Sequence, residues 1–562
     1  MTRQRIAVLS AAWVVTLGSV IAWVALTPAG QLRDQLKFAQ FWSLEACVAI
    51  GLVLAIALAR EFRNRFVISG DRWQVLSLVA LSAALTLWAA PRTNRIYYDE
   101  QIYQSIGQNL SDLKLAQMCN SGIVEYGRLE CSIGEYNKQP YAYPHLLSIG
   151  YRLFGVHEVT AFVVNALAMA ATVFAVYLLT WVLFEDRLAA WFAALIMTLT
   201  PQQIIWSATA AVEPTASLAC VTALLCAAIF LRSRTTLALA ATACSAAYAI
   251  QFRPESPLVL PVIAVLLWRT ARTELGRARV WWCGLLFVLL ATVNIGHLVA
   301  VRNESWGTSE ARLSLDYVMP NLRVNGWFYV WDWRFPAVFT LLAVVGLFAR
   351  RWGPERLAIA GYFALFFAMD LLFYAGSYNY GADVRYSLLT YPPVAILAGV
   401  GASRLSRRVT STRHATAGRA VVAGALAFQF LWYFPGVRAT TQEAWAARAD
   451  VRFARSFVRN MPSNSFVLTH NPGMFHVWGV NAGQMSMIVS NPMYLDHLSG
   501  RFAGGIYLHW NFWCNVADRV QREFCRLALS RAPATLSSEY RERDYRYAFY
   551  RLGTAPNVAS KD

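Results

Sequence analysis

Long apolar runs, separated by short polar breaks, occupy most of the chain. A membrane-spanning helix needs about 20 apolar residues. Thirteen runs approach that length: 6–27, 41–59, 73–90, 158–184, 188–206, 213–231, 235–251, 255–268, 280–300, 335–349, 357–375, 386–403 and 418–434. The runs at 255–268 and 335–349 are short. An odd number of spans puts the two termini on opposite sides. After Trp432–Pro435 the pattern changes, and turn pairs appear at Met461-Pro462, Asn471-Pro472, Asn491-Pro492 and Gly504-Gly505. Residues 441–460 repeat their apolar positions near every 3.6 residues, which predicts a helix; 515–529 predicts another. Phe466–Thr469, Ile506–His509 and Tyr545–Leu552 read as short strands. The expected fold is a polytopic α-helical membrane bundle with a small C-terminal α/β domain. Residues 1–72 supply two N-terminal spans, 73–434 a transmembrane module with outer loops 91–157 and 301–334, and 435–562 the soluble domain.

Composition agrees with this pattern. Hydrophobic residues make up 57% of the 562 and charged residues 15%, which excludes both disorder and an ordinary soluble enzyme. Lys and Arg number 50 against 32 Asp and Glu, a net charge of +18. Nucleic-acid binding does not explain that excess, because the arginines fall between apolar runs rather than on one face. The positive-inside rule does. One alternate set of loops carries Arg3 and Arg5; Arg60, Arg63, Arg65 and Arg72; Arg187; Arg232 and Arg234; Arg269, Arg272, Arg277 and Arg279; Arg350, Arg351 and Arg356; and Arg404, Arg407, Arg408, Arg413 and Arg419. That set, with the N-terminus, is expected on the cytoplasmic side of a bacterial plasma membrane. Segments 91–157, 301–334 and 435–562 then face outward. The first run, at about 21 residues, exceeds the roughly 7–15 of a signal-peptide core, so it reads as a retained span.

Cysteine placement follows the same division. Cys47, Cys220, Cys226, Cys244 and Cys283 lie in apolar runs, where cysteine behaves as a small core residue. Cys119 and Cys131 share the first outer loop, and Cys514 and Cys525 share the C-terminal segment. Two pairs facing an oxidising compartment suit two disulfides; four free thiols are the alternative.

Ionisable groups gather at the run ends expected to face outward. Tyr97-Tyr98-Asp99-Glu100-Gln101-Ile102-Tyr103 follows the third run. Lys138 precedes Pro140, Tyr141, Tyr143 and His145. Glu213-Pro214 opens the sixth run, Arg253-Pro254-Glu255 lies between the seventh and eighth, and Asp383-Val384-Arg385-Tyr386 leads into the twelfth. A charge at membrane depth costs on the order of 2.5–3.5 kcal/mol, so this concentration needs a reason. Each member has a plainer account. An Asp-Glu pair in a loop is usually solvated, Glu-Pro suits a helix start, arginines snorkel, and tyrosines anchor at the interface. Together they suit transfer of a sugar from a lipid phosphate. Asp99 or Glu100 would take the acceptor's proton, and Lys138, Arg253 and Arg385 would meet the charge left on the phosphate.

In order along the chain, these segments resemble GT-C glycosyltransferases, most closely the bacterial protein mannosyltransferases and lipid A aminoarabinose transferases. The likeness lies in Asp99-Glu100, in Lys138-Gln139-Pro140-Tyr141-Ala142-Tyr143-Pro144 followed by Leu153-Phe154-Gly155, in Arg253-Pro254-Glu255, and in Arg385-Tyr386-Ser387-Leu388-Leu389 with Pro392-Pro393. It spans roughly 73–410. It implies an inverting transferase with a polyprenyl-phosphate sugar donor and an envelope glycan, lipid or protein acceptor. Asp99 would be the base or hold the acceptor, Glu213 would be a second site acid, and Lys138 with Tyr103, Tyr141, Tyr143 and Tyr386 would line the donor phosphate. Members differ in whether they use a divalent cation such as Mg or Mn. This chain departs from the pattern in its two preceding spans, in the insert 104–137, and in Gln139 where proline is usual. A transporter or flippase of a lipid-linked saccharide is the rival reading; the inverted repeats common in transporters are not evident.

Overall fold

The computed structural model describes residues 3–62, 72–305, 308, 310–348, 353–379, 381–409, 415–439, 444–491, 493–516 and 518–553. Arg63, Arg65, Arg350, Arg351 and Arg413, used above to orient the chain, lie outside the described residues. The chain divides into two compact units: Met1–Thr93, Lys138–Tyr143 and Phe162–Thr440 form one, and Asn94–Asn137, Pro144–Ala161 and Thr441–Asp562 the other.

The first unit is helical. Each of the apolar runs falls mainly on helix among the described residues, but eight helices there are long and apolar enough to cross a bilayer, against the thirteen expected. Arg187–Thr198 and Pro201–Ser207, bent by 58°, would together make a ninth. The bend follows from Pro201, whose ring excludes a hydrogen bond to the preceding turn. Thr236–Ala249, Ser256–Trp268 and Ala337–Leu347 are shorter. Fourteen residues, as in Thr236–Ala249, rise about 21 Å against roughly 30 Å of hydrocarbon. Where Ala337–Leu347 meets the helix Tyr391–Val409, a Cβ at Gly346 or Gly401 would strike the carbonyl of Leu397 or Leu342. Glycine there lets two helix backbones approach closely. At one end of the bundle, Arg232 donates to the carbonyls of Val182 and Leu183 at 2.9 and 3.1 Å, and Arg407 pairs with Asp186 at 2.7 Å.

The second unit is built on a seven-stranded sheet. Its strands are β1 (Met118–Glu125), β2 (Arg128–Glu135), β3 (Ser465–Thr469), β4 (Ala482–Gln484), β5 (Gly505–Trp510), β6 (Ala534–Glu542) and β7 (Tyr545–Leu552). Their order is β2-β1-β4-β3-β5-β7-β6. The central β4, β3 and β5 run parallel, and the flanking hairpins are antiparallel. The helices Trp445–Val458 and Arg519–Leu529 occupy the two predicted helical segments. β1 and β2, from the first loop, were not expected as strands. A two-residue turn joins them, with Tyr126 and Gly127 at φ 51° and 76°, the geometry that matches strand twist. Cys119 and Cys131 are joined across this hairpin, and Cys514 and Cys525 are joined beside β5.

Candidate functional site

Glu213 is the centre of an ion cluster in the first unit. It opens the helix Glu213–Ser233, with Pro214 in the first turn, and it is 1% exposed. Its Oε1 accepts from Arg253, and from Arg385 Nε at 3.0 Å. Arg253 sits in the non-helical break between Thr236–Ala249 and Ser256–Leu258, where Pro254 prevents helix continuation. It also pairs with Glu255. Arg385 pairs with Asp383 at 3.1 Å. Both guanidinium groups lie over the Tyr386 ring, at 5.0 and 4.6 Å from its centroid, and Arg385 donates to the Tyr386 hydroxyl at 3.1 Å. Three carboxylates, Glu213, Glu255 and Asp383, thus hold two planar cations at fixed positions beside one ring.

The Lys138–Tyr143 segment belongs to the same unit. Lys138 donates to the Ser305 carbonyl. The Ala142 amide donates to the Gln251 carbonyl at 3.2 Å, two residues before Arg253. Tyr141 meets His297 edge-on at 5.5 Å, and Tyr141 and Tyr143 are buried. Asp370 accepts from Tyr378 at 2.6 Å.

Asp99, Glu100 and Tyr103 lie in the second unit. Asp99 and Glu100 form the first turn of the helix Asp99–Asp112, where acids suit the dipole. Glu100 is fully buried, and its Oε1 accepts the amides of Arg95 and Ile96 at 2.8 and 2.9 Å. Asp99 is half-buried. Tyr98, immediately before it, has φ 92°, a conformation that costs a non-glycine residue about 1–3 kcal/mol. Gln101 holds it by accepting the Tyr98 amide at 2.7 Å, and the Trp513 ring packs edge-on at 5.8 Å.

Sequence reading missed Asp450 and His509. Asp450 accepts from the Tyr97 hydroxyl at 3.0 Å, from His509 Nε2 at 2.8 Å and from the Phe512 amide at 2.9 Å. Burial and the adjoining carboxylate push the Tyr97 phenol well above its ordinary range, so it stays a donor. The available signal was an acid on the apolar face of a helix, between Ala446 and Phe453.

Among the described residues, metal-binding geometry is poor in both units. In the first, Glu213 Oε1, Glu255 and Asp383 are engaged by arginines, and Glu213 Oε2 alone does not make the oxygen cage that Mg requires. In the second, ligand atoms of His470, Cys514 and Cys525 lie within 4.8 Å of one another, but the sulfurs are bonded to each other and offer no thiolate.

Residues 138–297 match the family model of dolichyl-phosphate-mannose-protein mannosyltransferases. No curated protein sequence matches the chain. Its fold is similar to that of ArnT from Cupriavidus metallidurans bound to undecaprenyl phosphate, with a TM-score of 0.56 at 15% identity, over 88% of this chain and 99% of that one. It is also similar to the oligosaccharyltransferase of Archaeoglobus fulgidus, with a TM-score of 0.50 at 11% identity over 87% and 75% of the two chains. The mycobacterial arabinofuranosyltransferase AftD gives 0.50 at 15% identity, over 86% of this chain and 40% of AftD. The chain is thus similar to the mannosyltransferase family over residues 138–297, and to membrane glycosyltransferases such as ArnT in fold.

Proposed function

We propose that the protein moves a sugar from a polyprenyl-phosphate donor to an extracytoplasmic acceptor, an envelope glycan, lipid or protein, with inversion at the anomeric carbon. The observation that carries this reading is the pair Arg253 and Arg385, both held by buried Glu213 and both seated on Tyr386. Fixed cations of this kind meet the charge that grows on a departing phosphate. Lys138, in the same unit, is a further cation for this role. The similarity in fold to ArnT, a protein described with undecaprenyl phosphate bound, supports the same donor class.

In the proposed reaction Asp99 accepts the proton of the acceptor's hydroxyl or amine. The freed lone pair forms a bond to the anomeric carbon, and the bond from that carbon to the phosphate oxygen breaks. The electron pair leaves with the polyprenyl phosphate. Backside attack inverts the centre. Arginine placement supports a cytoplasmic N-terminus in a bacterial plasma membrane and an outward-facing C-terminal domain.

Mass spectrometry of lipids that copurify with the whole chain tests the donor. A retained polyprenyl phosphate or its glycoside, lost from Arg253→Ala and Arg385→Ala, is the expected result. Equal retention of such lipids by both variants would remove the arginines from the phosphate site.

A further inference from the structure

Segment 301–334, expected from the sequence to be an outward-facing loop, contains the helix Val318–Trp331. Its inward face combines the buried rings of Phe328 and Tyr329 with two asparagines. Asn321 donates to the carbonyls of Asp370, Leu371 and Phe373 at 3.1, 3.1 and 2.9 Å. Asn325 donates to the Gly376 carbonyl at 2.8 Å and accepts the Tyr378 amide at 2.9 Å. Both asparagines are buried. The outward face is mostly apolar: Met319, Trp327 and Trp331 are 57, 59 and 74% exposed, and the flanking Leu315 and Trp333 are 80 and 73% exposed; the exposed Arg323 stands between Met319 and Trp327, with a side chain long enough to reach the headgroups.

A water-facing helix turns its asparagines out and its tryptophans in. The inward asparagines here satisfy carbonyls left open where the helix Pro354–Leu372 ends. The outward tryptophans need an apolar partner, because a contiguous apolar patch in water is unfavourable. Two features identify that partner as lipid. Tryptophan is the side chain enriched where hydrocarbon meets headgroups, and the helix ends in a polar rim, the Asp332–Arg334 pair at 2.7 Å. The surface also continues into Ala337–Leu347, whose Leu341 and Val344 are exposed in the same apolar manner as the spans.

We propose that the helix Val318–Trp331 lies in the bilayer at the boundary between headgroups and hydrocarbon, with Trp327 and Trp331 in lipid. Its asparagines then tether segment 370–378 at a fixed depth. That segment leads into Asp383–Arg385, and its Phe373 ring lies 5.9 Å from Tyr386. The depth rests on the chain being a membrane protein and not on the donor assignment; the leaflet rests on the proposed orientation.

The test uses the whole chain in vesicles of phosphatidylethanolamine and phosphatidylglycerol. Nitroxide labels are placed at Trp327→Cys and Trp331→Cys, with Glu310→Cys as the aqueous reference and the unsubstituted chain as background for the native thiols. Labels at 327 and 331 should collide with oxygen more often than with a water-soluble nickel chelate, and the label at 310 should do the reverse. A membrane-impermeant maleimide should react at 327 and 331 roughly tenfold more slowly than at 310. Chelate access at 327 and 331 equal to that at 310 would overturn the proposal, and would point to a protein partner for the face instead. If Trp327→Cys does not fold, Met319→Cys replaces it. Maleimide given to one side of sealed vesicles reads the leaflet separately, so an error in orientation leaves the depth result standing.

Discussion

The Tyr97 hydroxyl donates to Asp450 across 353 positions of sequence, and Asp450 is also bonded to His509. Asp450 and His509 are both fully buried. This network reaches the first-loop turn two residues before Asp99. Tyr97→Phe removes one donor to a buried carboxylate, a change of about 1–3 kcal/mol. Asp450→Ala removes the common acceptor of three donors and should cost about 3–5 kcal/mol. Thermal unfolding should therefore rank the native chain above Tyr97→Phe, and Tyr97→Phe above Asp450→Ala. In the Tyr97→Phe variant, turnover should fall while the copurified donor lipid is retained. Native-like unfolding of Asp450→Ala would show that the network does not hold this unit together.

Asp99→Asn keeps the size and position of the side chain at the start of its helix but removes the basic oxygen. Transfer should fall by about 10²–10⁴-fold, the range of general-base catalysis, with unchanged folding and unchanged lipid retention. Near-native turnover would exclude Asp99 as the base.

Glu213→Ala would leave two buried guanidinium groups without their shared acceptor. A loss of about 3–5 kcal/mol is expected for breaking such a buried pair. Glu213→Gln retains one carbonyl oxygen and should be milder. The check is detergent-solubilised thermal unfolding of both variants; an alanine variant as stable as the native chain would mean that Glu255 and Asp383 suffice.

How much of this was legible depends on sequence distance. The spans were legible as helices because each carries its own apolar run, although the proline breaks at Pro201 and Pro254 shorten what length alone counts as a span. Within the ion cluster, the local groupings Arg253-Pro254-Glu255 and Asp383-Val384-Arg385 were legible for the same reason. β1 and β2 were not. β1 pairs with β4 through Ser121 and Gly122 against Gly483 and Ala482, so its partner lies hundreds of residues away and the local pattern holds no clean alternation. Asp450 is a similar case, since its burial and its partners Tyr97, His509 and Phe512, all distant in sequence, distinguish it from a solvated helix acid. The exposed tryptophans at 327 and 331 were legible as residues but not as a lipid-facing surface, because the inward asparagines that orient the helix bind carbonyls about fifty residues away.

Cys119–Cys131 and Cys514–Cys525 close short loops in the second unit. Thiol reagents should modify these four cysteines only after reduction. Reducing either bond should destabilise that unit by about 2–4 kcal/mol. Ready alkylation of the unreduced chain, read by peptide mass spectrometry, would contradict the bonds.

Acid should destabilise the second unit through its histidines. Burial pushes His476 down to about 4, and burial together with nearby His509 does the same to His470. His476 Nε2 meets the Ala482 carbonyl at 2.9 Å, an arrangement that uses the neutral ring as a donor. An unfolded histidine titrates near 6.5. Between about 6.5 and 4 the unfolded chain binds protons that the folded unit does not, so stability falls as pH falls through that window. Above about 6.5 both forms are neutral and the contribution is fully present. Each full unit of depression is worth about 1.4 kcal/mol. Unfolding of the second unit, followed between pH 7.5 and 5, should therefore shift to lower temperature with acid. His476→Gln, which keeps a donor for Ala482 but does not titrate, should flatten that slope even if it lowers the starting value. An unchanged slope in His476→Gln would assign the acid sensitivity to His470 or to the carboxylates instead.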